Sequence, residues 1–211
     1  MPELNGPIPN PFKKFNNMTY GISIYLQSHT QYNKMMASGK KDVTGMELLI
    51  QSGGAGTDPG VAAEGNNAGR GNYGAKRNKW FDKDFYLDDI QLQSYVAGTA
   101  TGGPQNSFEA NFTVTEPMGL TFMERLYQAA TEFAADKGIE NFNPVNQIYL
   151  MVIRFYGYDK DGRPVLNGKF DDGSDPGSYI EKWIPIMIRG ITFRLEDTKV
   201  VYACQCVCPQ T

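Results

Sequence analysis

Histidine and cysteine, on which most metal sites and nucleophilic active sites depend, are scarce in this chain of 211 residues. There is one histidine, His29, and three cysteines, all close to the C-terminus. A Ser–His–Asp or Cys–His site would have to use His29, which lies in a polar segment without periodicity. The chain also has no Walker loop, no G-x-S-x-G and no H-E-x-x-H. We therefore expect a protein that is not an enzyme, with no catalytic, cofactor-binding or metal-binding residues and no cofactor.

The cysteines themselves form no recognisable site. Cys204, Cys206 and Cys208 alternate along a predicted strand, so their side chains share one face at a spacing of about 7 Å. That spacing is too wide for good disulfide geometry, and C-x-C-x-C lacks the C-x2-C unit of zinc sites. We predict buried free thiols in a protein that is made in a reducing cytoplasm.

Long apolar runs and clusters of basic residues are also missing. No apolar run reaches the roughly 18–20 residues that a membrane span requires, and the N-terminus does not follow the secretory signal pattern. The net charge is −3 and the pI is about 5.2, with Lys and Arg scattered along the chain. These values argue against a face that binds nucleic acid in general. We expect a soluble chain without a membrane span.

The chain is organised around one stretch, residues 107–138. Residues 107–115 alternate between apolar and polar, which predicts a strand with one buried face, and Pro117 ends it. Thr121 and Glu124 have the spacing of a capping box, and an apolar stripe with spacings of three and four follows. The pattern predicts one flanking helix at about 119–138, the only clear helix in the chain, which needs a sheet to pack on.

The remaining periodic segments predict an antiparallel sheet. Strands are predicted at 18–27, 46–51, 84–96, 147–158, 179–195 and 199–208. Parity breaks at Asp88-Asp89 and at Gly190 indicate β-bulges, or at Gly190 a bend between two strands. Residues 147–158 are apolar on both faces, as in an interior strand. Pro185 removes a ladder donor and therefore indicates an edge or a contact with another chain.

Two segments lack periodicity. Residues 1–16 are rich in proline and predict an extended arm anchored by Phe12 and Phe15, either a partly ordered terminus or an arm on a neighbouring subunit. Residues 53–79 predict a long Gly-rich loop. Within it, residues 69–74 match G-x-G-x-x-G, but without the flanking strand and helix of a dinucleotide site we interpret them as loop.

Acidic and aromatic residues leave two weaker hypotheses open. Glu116 and Glu124 would be the acid pair of a cell-wall-degrading glycosidase, and Trp80, Tyr73 and Tyr86 would be the stacking platform of a glycan- or receptor-binding module. Asp88-Asp89 is interpreted as a solvated bulge rather than a metal site. The sequence at 159–162, Asp-Lys-Asp-Gly, lacks the distal acid of a calcium loop and predicts a turn.

Several blocks, in this order, resemble virion structural proteins of tailed bacteriophages. The likeness is to the tail-tube-like domain of baseplate hub and tube-initiator proteins. The blocks are Asn10-Pro11-Phe12, Met18-Thr19-Tyr20, residues 85–90 (FYLDDI), residues 112–117 (FTVTEP) with Phe122, residues 153–158 (IRFYGY), residues 183–186 (WIPI) and residues 191–193 (ITF). The loop at 53–79 and the cysteine-bearing end have no counterpart in the resemblance.

The resemblance implies one tail-tube-like domain, residues 17–211, after the arm at 1–16. Its fold would be an antiparallel β-sandwich or small barrel with one flanking helix. Copies would join edge to edge in a three- or sixfold ring around a channel, contacting other tail proteins (tube, spike, baseplate wedge) while DNA passes without specific binding. The location would be the tail or baseplate of a virion, after synthesis in the host bacterial cytoplasm. A further hypothesis is that the domain is the N-terminal part of a longer chain.

Overall fold

The computed structural model describes residues 10, 12–13, 15–39, 44–53, 80–81, 85–96, 106–140, 142–162 and 179–209. These residues form strands and two α-helices: β1 (Asn17–Gln27), α1 (His29–Ser38), β2 (Glu47–Gly53), β3 (Tyr86–Val96), β4 (Asn106–Pro117), α2 (Phe122–Asp136), β5 (Ile148–Tyr158), β6 (Tyr179–Glu196) and β7 (Lys199–Val207), with a 3-10 turn at Pro144–Asn146. The predicted fold class, mainly antiparallel β with a flanking helix, is confirmed.

The strands form one sheet in the order β2-β1-β5-β6-β7-β4-β3, and each neighbouring pair is antiparallel. The sheet does not close into a barrel. Its longest strand, β6, joins two halves: residues 179–186 pair with β5, and residues 187–196 pair with β7. One strand therefore connects a half that contains β2, β1 and β5 with a half that contains β7, β4 and β3.

Both halves of the sheet contribute to the same apolar core. Alternate residues of β1 and β5 face it from one half, and alternate residues of β4 and β7 face it from the other. The apolar stripe of α2 completes the core, with Phe122, Leu126, Ala129, Ala130 and Phe133 all buried. The alternation seen in the sequence thus corresponds to burial on one side of each strand.

Strand β5 is the exception to this alternation, as predicted for an interior strand. It lies between β1 and β6, and both of its faces are largely buried. On the second face, Leu150 and Val152 pack with Tyr25, and Met35 of α1 and Trp183 of β6 cover this group. A strand covered on both faces reads as a continuous apolar run.

The predicted irregularities of the strands are confirmed. The β3–β4 register shifts between Asp88 and Gln91, and Asp89 has a φ of 55°. The β6–β7 register shifts between Ile188 and Gly190, within a single continuous strand. Pro185 lies in the part of β6 for which β5 is the single described neighbour, so its missing N–H interrupts no second ladder among the described strands.

Helix α1 was missed in the sequence, and the prediction of a single clear helix is wrong in that respect. Ser28 and Gln31 form a capping box at its start, in which the Gln31 N–H donates to Ser28 Oγ and the Ser28 N–H donates to Gln31 Oε1. Gly39 ends the helix with a φ of 63°. Tyr32 is the buried anchor of α1, and its hydroxyl donates to the carbonyl of Pro209 at 3.1 Å.

The described part of the N-terminal arm lies on its own chain. The Phe12 ring meets the Phe155 ring of β5 edge-on at 5.1 Å, and the Phe15 ring occupies the space where a Cβ on Gly157 would be. The predicted anchoring role of these two phenylalanines is confirmed. Residues 1–9, which would reach a neighbouring subunit, lie outside the described residues.

Two other predicted segments are only partly covered. The Gly-rich loop is described at Gly53, the last residue of β2, while residues 54–79 lie outside the described residues. The predicted turn after β5 is present, because the Gly162 N–H donates to the Asp159 carbonyl and Gly162 has a φ of 74°. Among the described helices, none is long and apolar enough to cross a membrane.

Candidate assembly surface

In the described part of the sheet, the second half of β6 has a neighbour on one side only. Its residues 187–196 pair with β7, whereas the β5 ladder ends at Ile186. Among the residues that the structure describes, no strand lies on the other side of this segment. In an antiparallel strand every second residue directs its N–H and C=O away from the paired neighbour, so these groups face outward here. We call residues 188–196 the β6 edge.

Two large apolar side chains of the β6 edge are exposed although they point to the core side of the sheet. Phe193 and Leu195 lie opposite Tyr202 and Val200 of β7, both of which are buried. Phe193 is nevertheless 50% exposed and Leu195 71% exposed. The reason is their position: no further described strand continues the core beyond them.

The turn after β4 exposes two further large apolar side chains at the same end of the β6–β7 pair. Met118 is 85% exposed and Leu120 is 51% exposed. The Met118 N–H donates to the carbonyl of Thr198 at 2.8 Å, which fastens this turn to the turn between β6 and β7. Phe193, Leu195, Met118 and Leu120 are together called the edge patch. A group of exposed large apolar side chains beside free backbone groups is typical of a surface that binds another chain.

A buried carboxylate holds the elements behind the edge patch together. Glu116, the penultimate residue of β4, is fully buried and accepts four hydrogen bonds. Three come from the start of α2: the Thr121 N–H at 2.8 Å, the Thr121 hydroxyl at 2.7 Å and the Phe122 N–H at 3.1 Å. The fourth comes from the Tyr202 hydroxyl of β7 at 2.8 Å. One side chain thus links two strands to a helix.

These contacts also set the protonation state of Glu116. Burial pushes the pKa of the carboxyl upward, but the hydrogen bonds from Thr121, Tyr202 and Phe122 outweigh it and lower the pKa below its ordinary value. The pKa of Tyr202 is raised, first by burial and then by the hydrogen bond to the carboxylate. The group therefore stays ionised, and the start of α2 keeps a negative charge at its positive end.

The predicted capping box of α2 is wrong, because Glu116 takes its place. The Thr121 side chain makes no capping hydrogen bond to the helix; its hydroxyl donates to Glu116 and accepts from Arg125 Nε at 2.8 Å. The chain turns tightly to bring Glu116 under the helix, and a Cβ on Gly119 would collide with the carboxylate. Glu124, the predicted partner in the box, is exposed.

The residues of the two weaker hypotheses have other surroundings. Glu116 is enclosed by its four donors, while Glu124 is exposed, so they do not form an open acid pair. Trp80 is 3% exposed, and its indole N–H donates to Glu132 of α2 at 3.0 Å, so it has no free face on which a sugar could stack. Tyr86 is 41% exposed; Tyr73 lies outside the described residues.

The remaining candidates form no site of three or more ligands. Cys204 and Cys206 are buried and free, as predicted, and Cys208 is half-buried; burial raises the pKa of Cys206 to about 12. Among the described residues, no group of three His, Cys, Asp or Glu side chains could hold a metal ion. His29 begins α1 and lines an open cleft of about 380 Å³, at the point where β5 and β6 separate, together with Arg189.

Comparison with known proteins gave no match to a family model, to a curated protein or to a solved structure. What the surface does is therefore inferred from the chain's own residues. The sequence placed Phe193 and Leu195 on one face of a strand, and Pro185 indicated an edge in the same strand. Their exposure had no sequence signal, because it depends on where the β5 ladder stops.

Replacing Glu116 by glutamine should destabilise the fold. Donors reach both oxygens of the carboxylate, whereas an amide has a single acceptor oxygen and no negative charge; its NH2 group would replace the oxygen that accepts from the Thr121 hydroxyl. Loss of hydrogen bonds to a buried charged group costs about 2–3 kcal/mol, so we expect Glu116→Gln to lower the free energy of unfolding by that amount in urea titrations. The matched control, Glu124→Gln, should cost less than about 1 kcal/mol. Equal losses of unfolding free energy in the two variants would contradict the stabilising role of the Glu116 hydrogen bonds.

The same carboxylate predicts how stability depends on pH. The pKa of Glu116 is lower in the folded state than its ordinary value of 4.5, so the carboxylate contributes its full stabilisation when the pH is above 4.5. The contribution disappears as the pH falls through the lower, folded value. The difference in unfolding free energy between the wild type and Glu116→Gln should therefore be constant near neutral pH and shrink in acid. If the unfolding free energies of the wild type and Glu116→Gln changed with pH in parallel, the lowered pKa of Glu116 would be contradicted.

Proposed function

We propose that this chain is a structural virion protein of a phage tail, a baseplate hub component or tail-tube initiator. In this proposal, three or six copies form a ring around the channel that DNA crosses during ejection. The observation that carries the proposal is the open sheet: in the described part of the chain, the β6 edge has no neighbouring strand on its outer side, and Phe193 and Leu195 on it are exposed. The ordered sequence blocks that resemble tail-tube-like domains supply the class of protein.

The physical support is that the β6 edge is unfavourable for an isolated chain. Unpaired N–H and C=O groups along a strand invite pairing, and monomeric proteins protect such edges with charges, prolines or loops. Between Ile191 and Leu195 only Arg194 is charged, and both Phe193 and Leu195 are exposed. Docking of another chain would satisfy the backbone and bury the apolar side chains together, which gives assembly a driving force.

The proposed location is the tail or baseplate of the virion, where the tube, spike and baseplate wedge proteins would be further partners. The net charge of −3 agrees with a ring through which DNA slides without specific binding, because an acidic surface repels phosphates. Two of the residues behind the weaker hypotheses, a cell-wall-degrading enzyme and a glycan-binding module, are enclosed by the fold, whereas Glu124 and Tyr86 are exposed. Glu116 caps a helix and Trp80 is buried.

The proposal predicts a ring in solution that depends on the edge patch. Light scattering of the purified protein should give the mass of three or six copies, and negative-stain images should show rings with an open centre. Leu195→Asp should dissociate the ring, because it places a charge in the interface. Met36→Asp is the matched control, since Met36 is 53% exposed on α1 and outside the patch.

Two results would contradict the proposed function. One is a monomer at all concentrations together with virions whose tails are not labelled by an antibody to the chain. The other is loss of turbidity from a peptidoglycan suspension in the presence of the wild-type protein, which would favour an enzyme.

A further inference from the structure

We propose that the β6 edge of one copy docks on the outer side of β3 of the next copy. The inference rests on the proposed ring, and it names the two strands that meet. A contact between two different edges is head-to-tail, so its repetition generates a ring when the rotation closes. A contact of one edge with itself would stop at a dimer.

Strand β3 offers a second open edge. Among the described strands it is the last of the sheet, and β4 is the one neighbour with which it pairs. Residues 91–94 are exposed on both faces of the strand. Strand β2 comes near β3 without forming a ladder, and it does not cover these residues. Leu92 lies opposite Ala110, which is fully buried, yet Leu92 is 46% exposed. Leu92 therefore resembles Phe193 in its position: a core-side residue exposed because the described sheet ends beside it.

Joining the two edges would continue one apolar layer from copy to copy. Phe193 and Leu195 on one side and Leu92 on the other all lie on the core side of their strands. Placed beside each other in one sheet, they would cover one another, as neighbouring side chains on the same face of a sheet do. Neither edge alone hides these residues from water.

Charge favours the pairing of unlike edges. The only charged residues of β3 are Asp88 and Asp89, whereas the β6 edge carries Arg189 and Arg194 against the single acid Glu196. Glu196 already pairs with Arg194 at 2.5 Å and with Lys199 at 3.1 Å. Two β3 edges would bring four carboxylates together, which is unfavourable, while β3 beside β6 brings opposite charges together.

Cysteine cross-linking tests this arrangement directly. Thr192 and Gln93 are exposed and lie on the outer faces of the two strands, opposite exposed Ala203 and partly buried Glu109. The double variant Thr192→Cys/Gln93→Cys, treated with a short thiol-reactive bifunctional cross-linker, should give covalent multimers up to the full ring. Such a reagent tolerates a shift of register by a residue or two. The largest band would count the copies in the ring.

Each single variant is the matched control, because one introduced cysteine per copy, on one edge only, cannot link copies head to tail. The wild type should give no product, since Cys204 and Cys206 are buried and burial raises the pKa of all three native thiols. Dimers from Thr192→Cys alone would show that β6 pairs with itself and would overturn the inference. A ring in light scattering without cross-links in the double variant would also overturn it and leave the proposed function standing.

A charge exchange gives a second measurement that does not depend on labelling. Arg194→Glu and Asp88→Lys should each raise the concentration at which the ring dissociates by ~2- to 5-fold, the effect typical of one exposed ion pair. The variant that carries both changes should return to the wild-type value, since the opposite charges face each other again. If the combined variant dissociates more readily than either single variant, the two edges do not meet.

Discussion

Strand β6 pairs with two different strands along its length, and the exposure of the β6 edge is a consequence of this arrangement. Its first half completes the ladder with β5, and its second half completes the ladder with β7. Because β5 pairs only with the first half and β7 only with the second half, each half of β6 has a single neighbour among the described strands. Phe193 and Leu195 lie on the bare part of the second half, and their exposure is a consequence of topology.

The edge patch keeps its shape in an isolated copy because the hydrogen bonds of Glu116 and a row of packed aromatic rings hold the elements behind it. The Glu116 carboxylate binds the start of α2 and the Tyr202 hydroxyl, so β4, β7 and the helix keep fixed positions. The rings of Phe122, Tyr202 and Phe193 follow one another at 4.9 Å and 6.0 Å. Through these ring contacts, the buried core holds the exposed side chain of Phe193 in a defined position. A surface that is already ordered loses less entropy when it docks.

The strands, both bulges and the buried thiols could be predicted, because each leaves a local pattern of parity or spacing. Helix α1 had a local signal too, the Ser28–Gln31 capping box, but its weakly apolar sequence concealed the helix. The capping of α2 by Glu116 could not be predicted, since Tyr202 lies 86 residues away in the chain and the Thr121–Glu124 spacing offered a simpler alternative. The exposure of Phe193 depends on where another ladder ends, which no local pattern encodes.

The most direct test of the central claim, that the β6 edge is open in one copy and covered in the assembly, is hydrogen exchange on the two states. In a dilute monomer, the outward-facing amides of residues 191–195 should exchange quickly; in the assembled protein they should exchange at least roughly tenfold more slowly. A peptide from β5, which is paired on both sides, should exchange slowly in both. Unchanged exchange at the β6 edge on assembly would contradict the account.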